Sequence, residues 1–436
     1  MMRSGLLPIV LLSLVTMPSA AQQQGEISEQ ARVRGHRMLR QIREQLEKDY
    51  YDSTYHGIPL EASALRTDSA IDAAQTMPQM MGVLAQFLEN LNDSHTRFYP
   101  PGVNVEVQYG WSWRTVGNDC YVSAVKEESD AEAQGLQVGD RVLAIDGIKP
   151  TRANLGMIGY VYYQLSPRPG MRVIVEHADG EREELTIRSE MKRRRMVVDN
   201  TDLEERRRQR EAWQRSRPRH RTVTFGDSVL VWRLPAFIYG DRNIDRIMRR
   251  ARDHRHLILD LRGNGGGAVA TLERLLGHFF GEEFVYGTMQ FRDKEEQQSV
   301  EPVGHEPFGG EVIVLIDSQS ASASEITART LQMRGRATIV GDRSAGAVMV
   351  SISRSLHTGG WAGASRGYRW GMSVTISDLI LPDGNSLEHR GVIPNVAVLP
   401  TQQDLAEKRD PAMAFALELT GVMVSADEAA EIYDNR

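Results

Sequence analysis

The sequence predicts a multi-domain α/β protein, and three observations carry that reading. Between residues 222 and 401, short apolar runs rich in β-branched residues alternate with helical stretches. Val229 to Arg233, Leu257-Ile-Leu-Asp-Leu261, Glu311-Val-Ile-Val-Leu-Ile316 and Thr338-Ile-Val-Gly-Asp342 read as strands, with helices over Asp241 to Arg252, Thr271 to Phe280 and Ile326 to Gln332. Continuous apolar strands separated by helices predict a layered α/β domain. From about Val105 the apolar period instead becomes two, as in Val105, Val107 and Tyr109, which predicts a separate domain of exposed-and-buried strands. At 436 residues the chain is also longer than one hydrophobic core usually supports.

Taken in order, Met1-Met-Arg-Ser is followed by an apolar run from Gly5 to Met17 and by Pro18-Ser-Ala-Ala21. A charged start, a short apolar stretch and small residues read as a signal peptide over 1–21, cut after Ala21, with export to a periplasm or the medium. Cys120 is the sole cysteine, so no intrachain disulfide forms and stability rests on packing. Residues 22–104 form an N-terminal helical segment, with helices over Ile27 to Tyr51 and Ala73 to Leu91, then Asn92-Asp-Ser-His-Thr-Arg97 and a turn at Pro100-Pro-Gly102. Residues 190–221 are arginine-rich, but Glu204, Glu205 and Glu211 are interleaved and Trp213 is the sole aromatic, which suits a solvated helical linker better than a nucleic-acid face. Residues 402–436 read as a helical tail. The net charge of −6 gives no sign of a nucleic-acid or membrane-surface partner. His254-x-His256 has no third ligand within sequence reach, so neither a metal nor a cofactor is expected.

Within the period-two region, Ala131-Glu-Ala-Gln-Gly-Leu-Gln-Val-Gly-Asp-Arg-Val-Leu-Ala-Ile-Asp-Gly147 gives a short helix, a glycine turn, a strand and an Asp-Gly turn. This order resembles a PDZ domain of the bacterial, protease-associated type over residues 105–189. The resemblance implies peptide capture by strand addition, the peptide carboxylate resting on backbone N–H groups. Tyr109, Gly110 and Trp111, followed by Ser112, would be the carboxylate loop, and Ala153 to Leu165 the flanking helix.

Two turns of the α/β domain could carry chemistry. After the strand ending at Ile316 comes Asp317-Ser-Gln-Ser-Ala-Ser-Ala-Ser-Glu325, a small-sided strand-to-helix turn. A serine there sits beside free helix N–H groups and the positive end of the dipole, which favour a developing anion. Ser322-x-x-Glu325 is equally a capping box. The second turn, Arg262-Gly-Asn-Gly-Gly-Gly267, lacks the spacing of a phosphate-binding loop. Its glycines either bare N–H groups to an oxyanion or simply mark a tight turn.

Leu257-Ile-Leu-Asp-Leu-Arg-Gly-Asn-Gly-Gly-Gly267, Ser320-Ala-Ser-Ala-Ser-Glu325 and Leu387-Glu-His-Arg-Gly-Val-Ile-Pro-Asn395 together resemble the C-terminal processing peptidase family of serine proteases. The resemblance implies a crotonase-like α/β catalytic core joined to the PDZ domain, and an activity that cleaves near protein C-termini or degrades peptides. It implies Ser322 as nucleophile, with Ala323 and Gly265 or Gly266 as oxyanion donors. Many members place a general-base lysine 25 residues after the nucleophile; here Ala347 stands there, and no lysine occurs between Glu311 and Arg390. The branch that resembles the tricorn protease core uses a histidine near the start of the domain, preceded by a serine, with a later glutamate orienting it. Ser94 and His95 match the first pair, and Glu388 matches the glutamate. An imidazole can take the serine proton and return it to the leaving amine, while a hydroxyl or carboxylate on its other nitrogen fixes the tautomer. The expectation is an exported endopeptidase acting on a protein or peptide substrate. The alternative, motivated by Ala347, is an inactive PDZ-containing protein that binds peptides or other ligands.

Overall fold

The computed structural model describes residues 27–101, 105–193, 219–358 and 368–433. The expected signal peptide and most of the arginine-rich linker lie outside the described residues. The chain forms two compact units: the first takes residues up to 193, 289–296 and 349–380, and the second takes 194–288, 297–348 and 381–436.

The first unit opens with three helices, Glu29–Asp49, Leu60–Ala73 and Met77–Glu89. Ser28 caps the first by accepting from the Ala31 N–H, and Met38, Leu39, Ile42 and Leu46 form its buried stripe. The single helix expected over Ala73 to Leu91 is corrected. Thr76 and Gln79 form a capping box there, and Pro78 occupies the first turn, where its missing N–H costs nothing, so a new helix starts at Met77. The helix ending at Ala73 is hard to read from sequence because Ser63 and Thr67 share its buried face with Leu60, Ala64 and Ile71.

Five antiparallel strands follow, Trp111–Val116, Asp119–Val125, Arg141–Ile145, Gly170–Glu176 and Arg182–Arg188, each beside the next in that order. Trp111–Val116 is thus an edge strand with one neighbour in this sheet. The expected helix over Ala153 to Leu165 is an α-helix from Leu155 to Tyr160 that widens into a π-helical turn over Val161–Leu165. Glu190–Arg193, expected as the start of the linker, is a strand paired with Val105–Gln108. A long hairpin, Val350–Thr358 with Tyr368–Ile380, shares a sheet with Phe284–Phe291 and Glu295–Val300, and Arg97–Tyr99 adds antiparallel to its second strand.

The second unit is built on a six-stranded sheet in the order Val396–Ala397, Thr338–Gly341, Glu311–Ile316, His256–Asp260, Val229–Arg233 and Arg221–Phe225. All neighbours are parallel except the Arg221–Phe225 edge. Helices Asp241–Ala251, Val269–Leu276 and Ala323–Met333 make the crossovers. The expected tail is three short helices, Gln402–Ala406, Pro411–Glu418 and Ala426–Ala430. Ala412, Met413, Ala416, Leu417 and Ala429 pack on Val229, Val231, Ile258, Ile313, Leu315 and Val340, one face of the sheet. The intervening Leu230, Trp232, Leu257, Leu259, Val312 and Val314 point to the other face and are equally buried. Burial on both faces is why these strands read as unbroken apolar runs.

Candidate active site

Parallel register decides what meets what in the second unit. Asp260 pairs with Leu315, and Ile316 with Gly341, so three neighbouring strands end at one edge of the sheet. The loops 261–268, 317–322 and 342–349 therefore leave side by side from the carboxyl ends of parallel strands, the place where open α/β sheets carry their ligands.

The first two loops are stitched by side chains. Asn264, fully buried, donates from Nδ2 to the Leu234 carbonyl at 2.7 Å, and its Oδ1 accepts from the Gly266 N–H at 2.8 Å. Its own carbonyl accepts from the Ala321 N–H at 2.9 Å and from the Ser324 hydroxyl at 2.8 Å. Ser320 donates to the Leu261 carbonyl at 2.8 Å, and the Gly263 N–H reaches Asp317 Oδ1 at 2.9 Å. Ser320 and Ser324 are fully buried, so both are structural ties. The serine between them differs.

Ser322 has φ 56° and ψ −120°, a backbone conformation that costs a side-chain-bearing residue about 1–3 kcal/mol and persists only where neighbours impose it. Its N–H donates to the Ala347 carbonyl at 2.9 Å and to Glu325 Oε2 at 3.1 Å. Gly266 presses against it: a Cβ on Gly266 would lie 2.6 Å from Ser322 Cβ and 2.9 Å from the Ala321 carbonyl oxygen, and φ there is +99°. A strained serine in a strand-to-helix turn at the carboxyl edge of a sheet shares the backbone setting of a nucleophile elbow.

Of the expected oxyanion donors, Gly266 is corrected, because its N–H is committed to Asn264 and its role is close packing against Ser322. The Gly265 and Ala323 N–H groups have no acceptor among the described residues. Ala323 opens the helix that follows Ser322, so its N–H is one of the unpaired donors of a helix start.

Glu388 is buried, and its Oε2 accepts from the Val348 N–H at 3.1 Å, next in sequence to the Ala347 that holds Ser322. His389 Nε2 lies 3.6 Å from Glu388 Oε1. Helix Ala323–Met333 carries a second buried carboxylate, Glu325, which accepts from the neighbouring 344–348 strap and is legible in the sequence only as a capping partner. Burial raises its pKa, against hydrogen bonds from Ser344, Ala347, Gly346 and Ser322 that lower it.

Below the glycine loop, Arg262 forms paired hydrogen bonds with Asp260 at 2.9 Å and with Asp410 at 2.7 and 2.8 Å. The Tyr433 hydroxyl donates to Asp260 Oδ2 at 3.1 Å. Burial disfavours the charge on Asp260, but Arg262 beside it holds its carboxyl below the usual range. This network ties the loop to the C-terminal helices.

His95 lies in the first unit, on the turn between helix Met77–Glu89 and strand Arg97–Tyr99. Ser94 Oγ is 2.6 Å from His95 Nδ1. Asp93 Oδ1 accepts from the His95 N–H at 2.9 Å, the Thr96 N–H and the Thr375 hydroxyl, the last two at 2.6 and 2.8 Å. An Asx-type turn thus fixes the His95 backbone, a role for Asp93 that the sequence did not suggest. Tyr109, Gly110 and Trp111, also in the first unit, line a cavity of about 310 Å³ with Lys126 and Tyr163.

Residues 228–398 match the model of Peptidase family S41. A carboxyl-terminal-processing protease of Picosynechococcus sp. is 23% identical over 343 residues, covering 74% of each chain. The carboxy-terminal processing protease CtpB of Bacillus subtilis is 29% identical over 142 residues, 33% of this chain and 27% of that one, so the chain matches only about a quarter of that relative's length. Among solved structures, mature CPAF superposes with a TM-score of 0.66 over 93% of this chain and 98% of the other at 14% identity, a likeness of fold. Residues 228–398 thus carry a Peptidase family S41 domain, and the chain is similar to hydrolases named as carboxyl-terminal processing proteases. Among the described residues no helix is long and apolar enough to cross a membrane.

Proposed function

We propose that the protein is an exported serine endopeptidase that hydrolyses peptide bonds of proteins or peptides, near their C-termini, with Ser322 as nucleophile and His95 as general base. The observation that carries this reading is Ser322 itself, held in strained backbone at the carboxyl edge of the sheet while Ser320 and Ser324 are tied into the glycine loop. Ser322 Oγ attacks the scissile carbonyl as the His95 imidazole takes its proton, and the Ala323 and Gly265 N–H groups receive the oxyanion. His95 then protonates the leaving amine, and water, activated by the same imidazole, releases the acyl group. Ser94 steadies the ring through Nδ1, and Glu388 completes the base's environment. The absence of lysine between Glu311 and Arg390 supports histidine over a lysine base.

In this reading the second unit holds a crotonase-like core, and residues 105–189 are a PDZ domain. The one-sided edge strand Trp111–Val116 and the adjoining cavity at Tyr109, Gly110 and Trp111 support capture of a peptide carboxylate there. The apolar run before Pro18 supports export. A fluorophosphonate probe is expected to label the wild type and not Ser322→Ala, and His95→Ala is expected to lose peptidase activity. Full activity in His95→Ala overturns the base assignment. An unlabelled wild type that still binds C-terminal peptides favours the second reading, a ligand-binding protein, for which Ala347 at the lysine's place is the motivating observation.

A further inference from the structure

Helix-capping geometry explains only part of what surrounds Glu325. A capping glutamate three residues into a helix needs one contact, the N–H of the cap residue, and Glu325 Oε2 makes it with Ser322 at 3.1 Å. The remaining contacts come from a loop about twenty residues on. Oε1 accepts from the Ser344 hydroxyl at 2.6 Å and the Gly346 N–H at 2.7 Å, and Oε2 accepts from the Ala347 N–H at 2.9 Å. The side chain is fully buried, and among the described residues no lysine, arginine or histidine forms an ion pair with it. A buried carboxylate without a cation is costly unless its lone pairs are filled by donors, and here four donors fill them.

Three of the four donors are fixed in kind. Gly346 and Ala347 offer backbone N–H groups that cannot turn into acceptors, and so does Ser322. Gly346 has φ +73°, and a Cβ there would lie 3.0 Å from the Arg390 N, so the strap is close-packed against the segment that carries Glu388. Ala347 in turn accepts from the Ser322 N–H through its carbonyl. One carboxylate therefore fastens both sides of the strained residue, its own N–H and the strap that holds it.

We propose that Glu325 is the positioning residue of the Ser322 turn. Resting on the hydrolase reading above, it fixes the Ser322 backbone and the 344–348 strap so that the nucleophile and the Ala323 N–H keep one geometry. It touches no reacting atom and acts through Ser322.

Glu325→Gln is the direct test. Its amide nitrogen can face the Ser344 hydroxyl, which can rotate to accept, but then it also faces the Gly346 N–H and that bond is lost. A displacement on the order of 1 Å at a reacting centre costs about 100-fold. The expected result is a fall of about 100-fold in kcat and in the rate of fluorophosphonate acylation, with KM within about twofold of the wild type, since no substrate contact changes. In parallel, amide hydrogen exchange of 344–348 should quicken while that of helix residues 328–333 stays as in the wild type. Ser344→Ala, which removes one donor of the four, should shift both readouts in the same direction and less, and it decides the matter if Glu325→Gln does not fold. A folded Glu325→Gln enzyme with wild-type kcat and wild-type exchange at 344–348 overturns the proposal. A wild type that the probe does not label overturns the hydrolase reading instead, and the exchange pattern then decides whether Glu325 holds the strap.

Discussion

Glu89 gives the first unit a stability that should fall as pH rises. It is the last residue of helix Met77–Glu89, 7% exposed, with Oε1 lacking a hydrogen-bond partner among the described residues. Burial pushes its carboxyl up from 4.5 to about 7; attraction to Arg97 works against this, and repulsion from Asp93 adds to it. A carboxylate at a helix C-terminus also faces the negative end of the dipole, which acts in the same direction as burial. Because the folded state binds the proton more tightly than the unfolded chain, the contribution is fully present below pH 4.5 and is lost as pH rises through 7. The full swing is about 3.4 kcal/mol, at about 1.36 kcal/mol per pKa unit, of which about 2.5 kcal/mol falls between pH 5 and pH 8. Glu89→Gln keeps the shape and the hydrogen-bonding atoms but cannot ionise. Relative to the wild type it should therefore gain about 2.5 kcal/mol between those two pH values. Urea-dependent hydrogen exchange of peptides spanning residues 77–99 reads the opening free energy of this segment at each pH. A difference between variant and wild type that is the same at pH 5 and pH 8 refutes the argument.

Arg262→Ala strands the buried Asp260 carboxylate and frees Asp410, so the second unit should lose about 3–5 kcal/mol in urea unfolding. Gly266→Ala meets Ser322 Cβ at 2.6 Å and needs a left-handed backbone, so it should abolish probe labelling of Ser322; Gly265→Ala, whose Cβ meets nothing within 4 Å, should keep it. Equal labelling of the two variants would refute the packing role given to Gly266.

How much the sequence reveals follows from where the partners lie. Val229–Arg233 and Glu311–Ile316 are read to the residue because strands buried on both faces are continuous apolar runs. The hairpin of Val350–Thr358 and Tyr368–Ile380 escapes the reading. Val350, Ile352 and Leu356 alternate with Ser351, Ser353 and Ser355 in its first strand, a period-two signal that lies outside the pattern of continuous apolar strands and helices on which the reading of this region rests. Glu295–Val300 escapes because it is almost wholly polar. At the site, local spacing shows Ser322 and the cap half of Glu325. Asn264 and the strap contacts of Glu325 depend on loops 20 to 60 residues apart meeting at the sheet edge, which register decides and spacing does not. Asp93 is one residue from Ser94, yet its role needs Thr375, 282 residues away.

The strap bears on Ala347, the residue that most unsettles a purely sequence-based reading. In the lysine branch that position carries the base, so an alanine there can be taken as decay. In this chain three successive N–H groups, Gly346, Ala347 and Val348, are divided between two buried carboxylates, the first two on Glu325 and the third on Glu388. The Ala347 carbonyl takes the Ser322 N–H. Each N–H of the strap from 346 to 348 thus has a carboxylate acceptor, and the strap supports a serine held at φ 56°. The position supplies backbone where the lysine branch supplies a side chain, and strain at Ser322 of about 1–3 kcal/mol is retained at a site only where the surrounding structure imposes it.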